Sequence, residues 1–427
     1  QVLTVEPFGG YGMIMFRNIM CSRRIKAIIA SSLFPLLLPI LVWSKNLTWE
    51  DEITALANGG AISVADAENR PLFAVNADKA LVPASILKIA TAAAALHYLD
   101  PSHRFTTAFR LSHENDLYVV GRGDPYLVSE ELDLIAHQLK TRGLKEVRNI
   151  YLDDQYFQPN LVLHGTKRSI NPYDAYNGAL CVNFNTVFVK IASDGKVQSA
   201  EPQTPLTDLG RKIALRTGLR GEVRINLSES PEKCLQYAGE LIQAFLEMRS
   251  IHVRGKVARA KKDSTAFPLL YLHRSSRDLA ETCREMFKYS NNFVANQIFL
   301  AMGAARFGPP ATVEKSQFVM ADFFRFLGLP RLKVEEGSGL SRRNRITANQ
   351  MIVVLDHFRP YRDLLHHEGS AWSKTGTLSD VKSMAGYIVP EHTRPLSFVI
   401  ILNGRHVGPR SREQIFALIE KNLLKGF

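Results

Sequence analysis

Short apolar runs at the two ends of the chain, far apart in sequence, constrain the fold more than any other feature. Residues 61–66 and 72–76 flank the turn-forming stretch Ala-Glu-Asn-Arg-Pro and read as a β-hairpin. Near the C-terminus, residues 371–377, 383–389 and 396–402 read as three strands, followed by a helix over about 412–424. Strands at both chain ends with helical segments between them imply one sheet assembled from distant pieces. The predicted class is α/β (α+β).

The middle of the chain differs. Residues 104–265 hold short strands (117–120, 147–152, 186–191), many turns and few long periodic helices, as an inserted β-rich domain would. Residues 266–370 are mostly helical, over 278–287 and 293–305. The expected division is therefore 45–103 plus 266–427 as one discontinuous domain, interrupted by 104–265.

The first 44 residues read as an address. Arg17, Arg23, Arg24 and Lys26 precede an apolar run over 27–43 broken by Ser31, Ser32, Pro35 and Pro39. Seventeen residues with two prolines fall short of the roughly 20 needed for a spanning helix. They suit the apolar region of a secretory signal, cleaved after Ser44, with an uncleaved membrane anchor as the other reading. The expected location is periplasmic or otherwise extracytoplasmic.

The 53 basic and 41 acidic side chains give a net charge of +12. That balance admits an anionic partner such as a cell wall. The basic runs 259–262 and 341–345 lack interleaved aromatics, so nucleic acid is not expected. Beyond Cys21, Cys181, Cys234 and Cys283 have no metal-ligand spacing and read as buried free thiols. The 12 histidines show no H-E-x-x-H, His366-His367 reads as a solvent-facing loop, and Asp153-Asp154 as a turn after a strand. No metal and no cofactor are expected.

Ser85-Ile86-Leu87-Lys88 sets a hydroxyl and an amine three residues apart at the start of an Ala-rich helix over 86–99, behind Pro83. At that spacing both side chains share one face. Serine is a poor nucleophile without an adjacent base, and lysine can serve when burial and a second cation lower its pKa. S-x-x-K recurs at Ser193, Ser230 and Ser379, but only the copy at Ser85 opens a helix after a hairpin. Ser290-Asn291-Asn292 lies between two helical stretches. Lys374-Thr375-Gly376 occurs once, on an expected strand, followed by Thr377. A lysine there could bind a carboxylate while the backbone pairs with an extended peptide. S-x-x-K, S-x-N and K-T-G in that order form the set found in penicillin-binding proteins and related β-lactamases.

With these residues in place, the chain resembles the D-alanyl-D-alanine carboxypeptidase/endopeptidases of the low-molecular-mass class C penicillin-binding proteins. The resemblance runs over nearly all of 55–425. It includes Leu81 to Ser85 with Lys88, Leu117 to Pro125, Gly337-Ser338-Gly339-Leu340-Ser341-Arg342 with Asn344, and Ala385-Gly386-Tyr387. It implies a β-lactamase/transpeptidase-like catalytic domain with an insertion after the nucleophile helix. Ser85 would be the acylated nucleophile and Lys88 its base, Ser290 would relay the proton, and Asn292 would hold the substrate amide. Lys374 would steer the terminal carboxylate within the Lys374-Thr375-Gly376-Thr377 segment, and the N–H groups of Ser85 and Thr377 would form the oxyanion hole. The implied partners are peptidoglycan stem peptides, with β-lactam antibiotics as covalent inhibitors and, if the leader stays attached, a membrane through residues 27–43.

Two departures from the family stand out: Glu336 where Asp is usual, and Asn296 where Glu is common. The insertion also reads as short for the class. Other readings are a serine β-lactamase, for which Glu314, Glu335, Glu336 and Glu368 lie in the relevant interval without a recognisable motif, and a wall-binding scaffold with vestigial activity.

Overall fold

The computed structural model describes residues 48–167, 169–227, 230–261, 264–389, 394–405 and 407–423. The leader read at residues 1–44, including the run 27–43, lies outside them. Six strands form one antiparallel sheet in the order His366–Glu368, Ala371–Leu378, Val381–Ile388, Leu396–Asn403, Ala61–Ala65 and Pro71–Val75. The N-terminal hairpin thus completes a sheet begun more than 300 residues later, with Ser63 opposite Val399. His366 and His367 sit on the short edge strand rather than in a loop, and both are exposed.

Leu396–Asn403 is apolar almost throughout because both of its faces are covered. Its alternate side chains divide cleanly. Phe398, Ile400 and Leu402 meet Ile53 and Ile415 from the helices Trp49–Ala57 and Ser411–Leu423. Val399 and Ile401 face the larger core formed by the helices Leu87–Leu99, Leu279–Tyr289, Asn292–Phe307, Val313–Phe326 and Ala348–Phe358. Leu87–Leu99 is buried over every residue from Leu87 to Leu96. A helix that is apolar all round belongs in an interior, and its small alanines let neighbouring helices approach closely.

Between these halves lies a second hydrophobic core with its own elements. A mixed five-stranded sheet runs in the order Val257–Arg259, Ile150–Asp153, Leu117–Gly121, Thr106–Leu111, Leu269–Arg274. Leu269–Arg274 pairs antiparallel with Thr106–Leu111, so the last strand of this sheet falls beyond residue 265. A smaller sheet joins Val197–Ser199, Thr186–Ile191 and Gly221–Asn226. This region is less purely β than its sequence suggests, since it also contains the helices Ser129–Thr141, Asp208–Arg216 and Pro231–Met248. In the last of these, Leu235, Ala238, Leu241, Ile242 and Phe245 are buried at helical spacing. Cys181, Cys234 and Cys283 are buried, and burial pushes the Cys181 thiol up to about 12. No described helix is long and apolar enough to cross a membrane.

Candidate active site

Ser85 is held by the chain that leads into it. Leu81 exchanges two backbone hydrogen bonds with Ile346, each 3.0 Å. The Asn403 side chain accepts from the Val82 N–H at 2.8 Å and donates to the Val82 carbonyl at 3.1 Å. The Ser383 hydroxyl donates to the Pro83 carbonyl at 2.6 Å. Ala84 then takes a positive φ of 50° at the head of the 3-10 turn Ala84–Ile86. An L-residue reaches that conformation at a cost of order 1–3 kcal/mol, which the surrounding contacts must hold in place. Ser85 is partly exposed at the mouth of the turn, and the helix begins two residues later.

Lys88, one helical turn on, is fully buried. Its Nζ lies 2.7 Å from the side-chain oxygen of Asn292, 2.7 Å from the Ser338 carbonyl and 3.1 Å from Ser85 Oγ. Burial, reinforced by the nearby charge of Lys374 and opposed by Glu336, holds the Lys88 amine well below the ordinary lysine range. Asn292 opens the helix Asn292–Phe307. Ser290 caps the helix before it in the left-handed conformation, φ 50°, and lines the same cleft.

The loop that presents Ser338 is built around Glu336, a fully buried carboxylate. Glu336 accepts from the N–H groups of Ser338 (2.7 Å), Gly339 (2.8 Å) and Ser341 (3.2 Å). It also accepts from the Ser338 hydroxyl and the Asn344 amide. Asn296, where the family commonly has Glu, accepts from the Gly337 N–H at 2.8 Å, and Thr91 donates to the Gly337 carbonyl at 2.7 Å. Gly339 has φ +84°, and a Cβ there would collide with the Ala84 carbonyl. Only glycine fits both demands.

Lys374, Thr375, Gly376 and Thr377 lie on the strand Ala371–Leu378. The edge strand covers only Ala371–Ser373, so the segment from Lys374 onward presents an unpaired backbone on that side among the described residues. Gly376 packs directly on the Ala84–Ile86 turn, where a Cβ would come within 2.8 Å of the Ser85 N. Lys374 is buried and donates to the Thr375 carbonyl at 2.6 Å. Burial first, and then the charge of Arg412, bring its ammonium down to about 8. Arg412, from the C-terminal helix, bonds the Gly376 and Ser383 carbonyls at 3.3 and 3.2 Å.

Ser85, Ser290, Asn292 and Thr377 line one cleft of about 620 Å³, while Lys88, Lys374, Thr375 and Gly376 lie behind or beside its surface. The middle region contributes the opposite wall through His164, Lys167 and Tyr173. His164 Nδ1 is 2.7 Å from Ser341 Oγ, which ties this wall to the Glu336 loop. Sequence reading picked out the Gly337–Asn344 stretch as a resemblance without a role. It did not single out Glu336 as the hub, or Asn403, Ser383, Arg412 and His164, whose work depends on partners far away in sequence.

A hydroxyl, a buried amine and an open strand edge around one cleft define a serine acyl-transferring enzyme of the transpeptidase-like fold. The same fold is seen in the crystal structure of penicillin-binding protein 4 (dacB) from Haemophilus influenzae. That structure matches with a TM-score of 0.71 at 19% identity, over 88% of this chain and 98% of that one. A second structure of that protein, complexed with a novel β-lactam, matches with a TM-score of 0.67 at 19% identity, over 89% and 99% of the two chains. In sequence, the chain is 27% identical over 444 residues to a D-alanyl-D-alanine carboxypeptidase of Actinomadura sp. (strain R39), covering 84% of this chain and 80% of that protein. Residues 48–208 and 211–367 match the D-Ala-D-Ala carboxypeptidase 3 (S13) family. The chain belongs to that family and is a serine-type D-Ala-D-Ala carboxypeptidase, a low-molecular-mass class C penicillin-binding protein. The Lys374–Thr377 segment lies outside the matched residues, and its place beside Ser85 comes from the sheet.

Proposed function

We propose that Ser85 is the acylated nucleophile and Lys88 its general base, acting on peptidoglycan stem peptides that end in D-Ala-D-Ala. One observation carries this reading: the three neighbours of Lys88 Nζ. A neutral amine has two N–H donors and one lone pair. The carbonyl of Ser338 and the side-chain oxygen of Asn292, the two closer neighbours, accept its two hydrogens. The lone pair is left for Ser85 Oγ, the one neighbour of the three that can donate.

Acylation then runs as follows. Ser85 Oγ attacks the carbonyl carbon of the penultimate D-Ala as its proton passes to Lys88. The N–H groups of Ser85 and Thr377 stabilise the oxyanion, with the helix N-terminus adding positive potential. The C–N bond breaks, the proton reaches the leaving amine through Ser290, and D-alanine departs. Water then cleaves the Ser85 ester. The substrate backbone pairs with the open edge beyond Lys374, Asn292 donates its free amide N–H to the substrate carbonyl, and Lys374 attracts the terminal carboxylate.

β-Lactams present the same carbonyl to Ser85 and remain attached as esters. The reading includes an extracytoplasmic location reached through residues 1–44, and residues 104–265 as an inserted domain that walls the cleft. The test is release of D-alanine from a muropeptide ending in D-Ala-D-Ala. The wild type is expected to release it and Ser85→Ala to release none; equal release by both would contradict the assignment.

A further inference from the structure

At the far end of the helix that starts behind Ser85 lies a second cavity, of about 440 Å³. The helix Leu87–Leu99 is 13 residues long, which sets this cavity roughly 20 Å from the nucleophile. It occupies the place where the chain leaves the catalytic core for the middle region and comes back. Leu99 and Ala301 of the core helices face it on one side, and the strands Thr106–Leu111 and Leu269–Arg274 on the other.

Its polar lining is cationic. Arg104, Arg122 and Arg274 converge there with His103, Ser102 and Tyr156, and no carboxylate lines it. Arg104 donates to the Ser275 and Ser276 carbonyls. Among the described residues, Arg122 and Arg274 make no ion pair and no side-chain hydrogen bond. Asp100, beside His103, directs its carboxylate to the N–H and hydroxyl of Ser102. Three guanidinium groups around one concavity repel one another unless an anion joins them. Their planar forks match phosphate oxygens in pairs, and the Tyr156 hydroxyl adds a neutral donor.

We propose that this cavity binds a phosphate group, as free phosphate or a small phosphate ester or as a phospholipid headgroup. It is separate from the peptide cleft and joins the two parts of the fold. Bound there, the anion bridges Arg104 at the start of the middle region, Arg122 within it and Arg274 on the last strand of its sheet.

The test is thermal unfolding of the full chain at constant ionic strength, with inorganic phosphate replacing chloride, beside co-sedimentation with phosphatidylglycerol vesicles. For free phosphate, an increase in Tm of a few degrees is expected at concentrations well above Kd. The increase should vanish in the double variant Arg122→Gln/Arg274→Gln, and Arg122→Lys should weaken it without abolishing it. Sedimentation with the vesicles that is lost in the double variant, without a response to free phosphate, assigns the site to a lipid headgroup. The unfolding transition in chloride shows that each variant is folded. A wild type that answers neither probe, or a double variant that answers like the wild type, overturns the proposal.

Discussion

The amine of Lys88 lies 2.7 Å from the carbonyl oxygen of Ser338, a residue 250 positions away in sequence. That bond joins the two halves of the site. One half is the turn carrying Ser85 with the buried helix carrying Lys88; the other is a loop folded around the Glu336 carboxylate.

Replacing Glu336 by Gln tests the loop. Glu336 accepts five hydrogen bonds in a fully buried setting. Bonds to a charged acceptor contribute about 1.5–3 kcal/mol each. The amide also turns one acceptor into a donor that faces other donors. A loss of at least about 3 kcal/mol in denaturant unfolding is expected. The charge of Glu336 raises the Lys88 pKa, so its removal lowers that pKa further. The acid limb of the acylation pH profile should therefore move to lower pH in whatever fraction stays folded. An unchanged limb would detach Glu336 from Lys88.

Lys374 should shape the alkaline limb. Its ammonium titrates near 8 because it is buried and faces Arg412. As pH rises through that value the cation is lost, so KM for a peptide with a free terminal carboxylate should increase. A substrate whose terminal carboxylate is amidated should show no such rise. Arg412→Gln removes the repelling charge, raises the Lys374 pKa and should shift this limb to higher pH.

Gly376→Ala should impair chemistry more than binding. The added methyl would come within 2.8 Å of the Ser85 N and also crowd the Ser383 hydroxyl. Overpacking of this kind costs about 1–3 kcal/mol in stability. It also displaces the Ser85 N–H, one of the two proposed oxyanion donors, where loss of a donor typically lowers kcat by about 10²–10³-fold. Burst kinetics that separate acylation from binding would show whether kcat takes the larger share.

The sequence was most legible where chemistry is local. The Ser85–Lys88 spacing is a property of one helical turn, and Lys374-Thr375-Gly376 sits on a strand whose apolar neighbours mark it. Residues 396–402 read as a strand from their apolar run, while the division of Phe398, Ile400 and Leu402 from Val399 and Ile401 between two cores emerges only in the fold. What stayed hidden depends on distance along the chain. Nothing near Asn403 says that its amide clamps Val82, 321 residues away. Glu336 reads as a conservative change from Asp until the loop closes around it. The helix Pro231–Met248 was passed over although its apolar spacing is periodic, because the turns and short strands around it set the character of the whole region.

His164 ties the middle region to the catalytic loop through Ser341. Removing that bond by His164→Ala should leave acylation by a small β-lactam within a few-fold of wild type. It should lower turnover of a long muropeptide, which must lie along this wall. Equal losses on both substrates would place His164 in the chemistry and not in the cleft wall.

The central claim is that Ser85 is the atom acylated and Lys88 the base that makes it so. Intact-mass measurement after brief exposure to benzylpenicillin, with peptide mapping of the adduct, tests it most directly. One penicilloyl group is expected on the wild type, located on Ser85. Ser85→Ala should carry none, and Lys88→Ala should be acylated about 10²–10⁴-fold more slowly, the usual span for loss of a general base. An adduct on any other residue, or wild-type acylation rates in Lys88→Ala, would contradict the account.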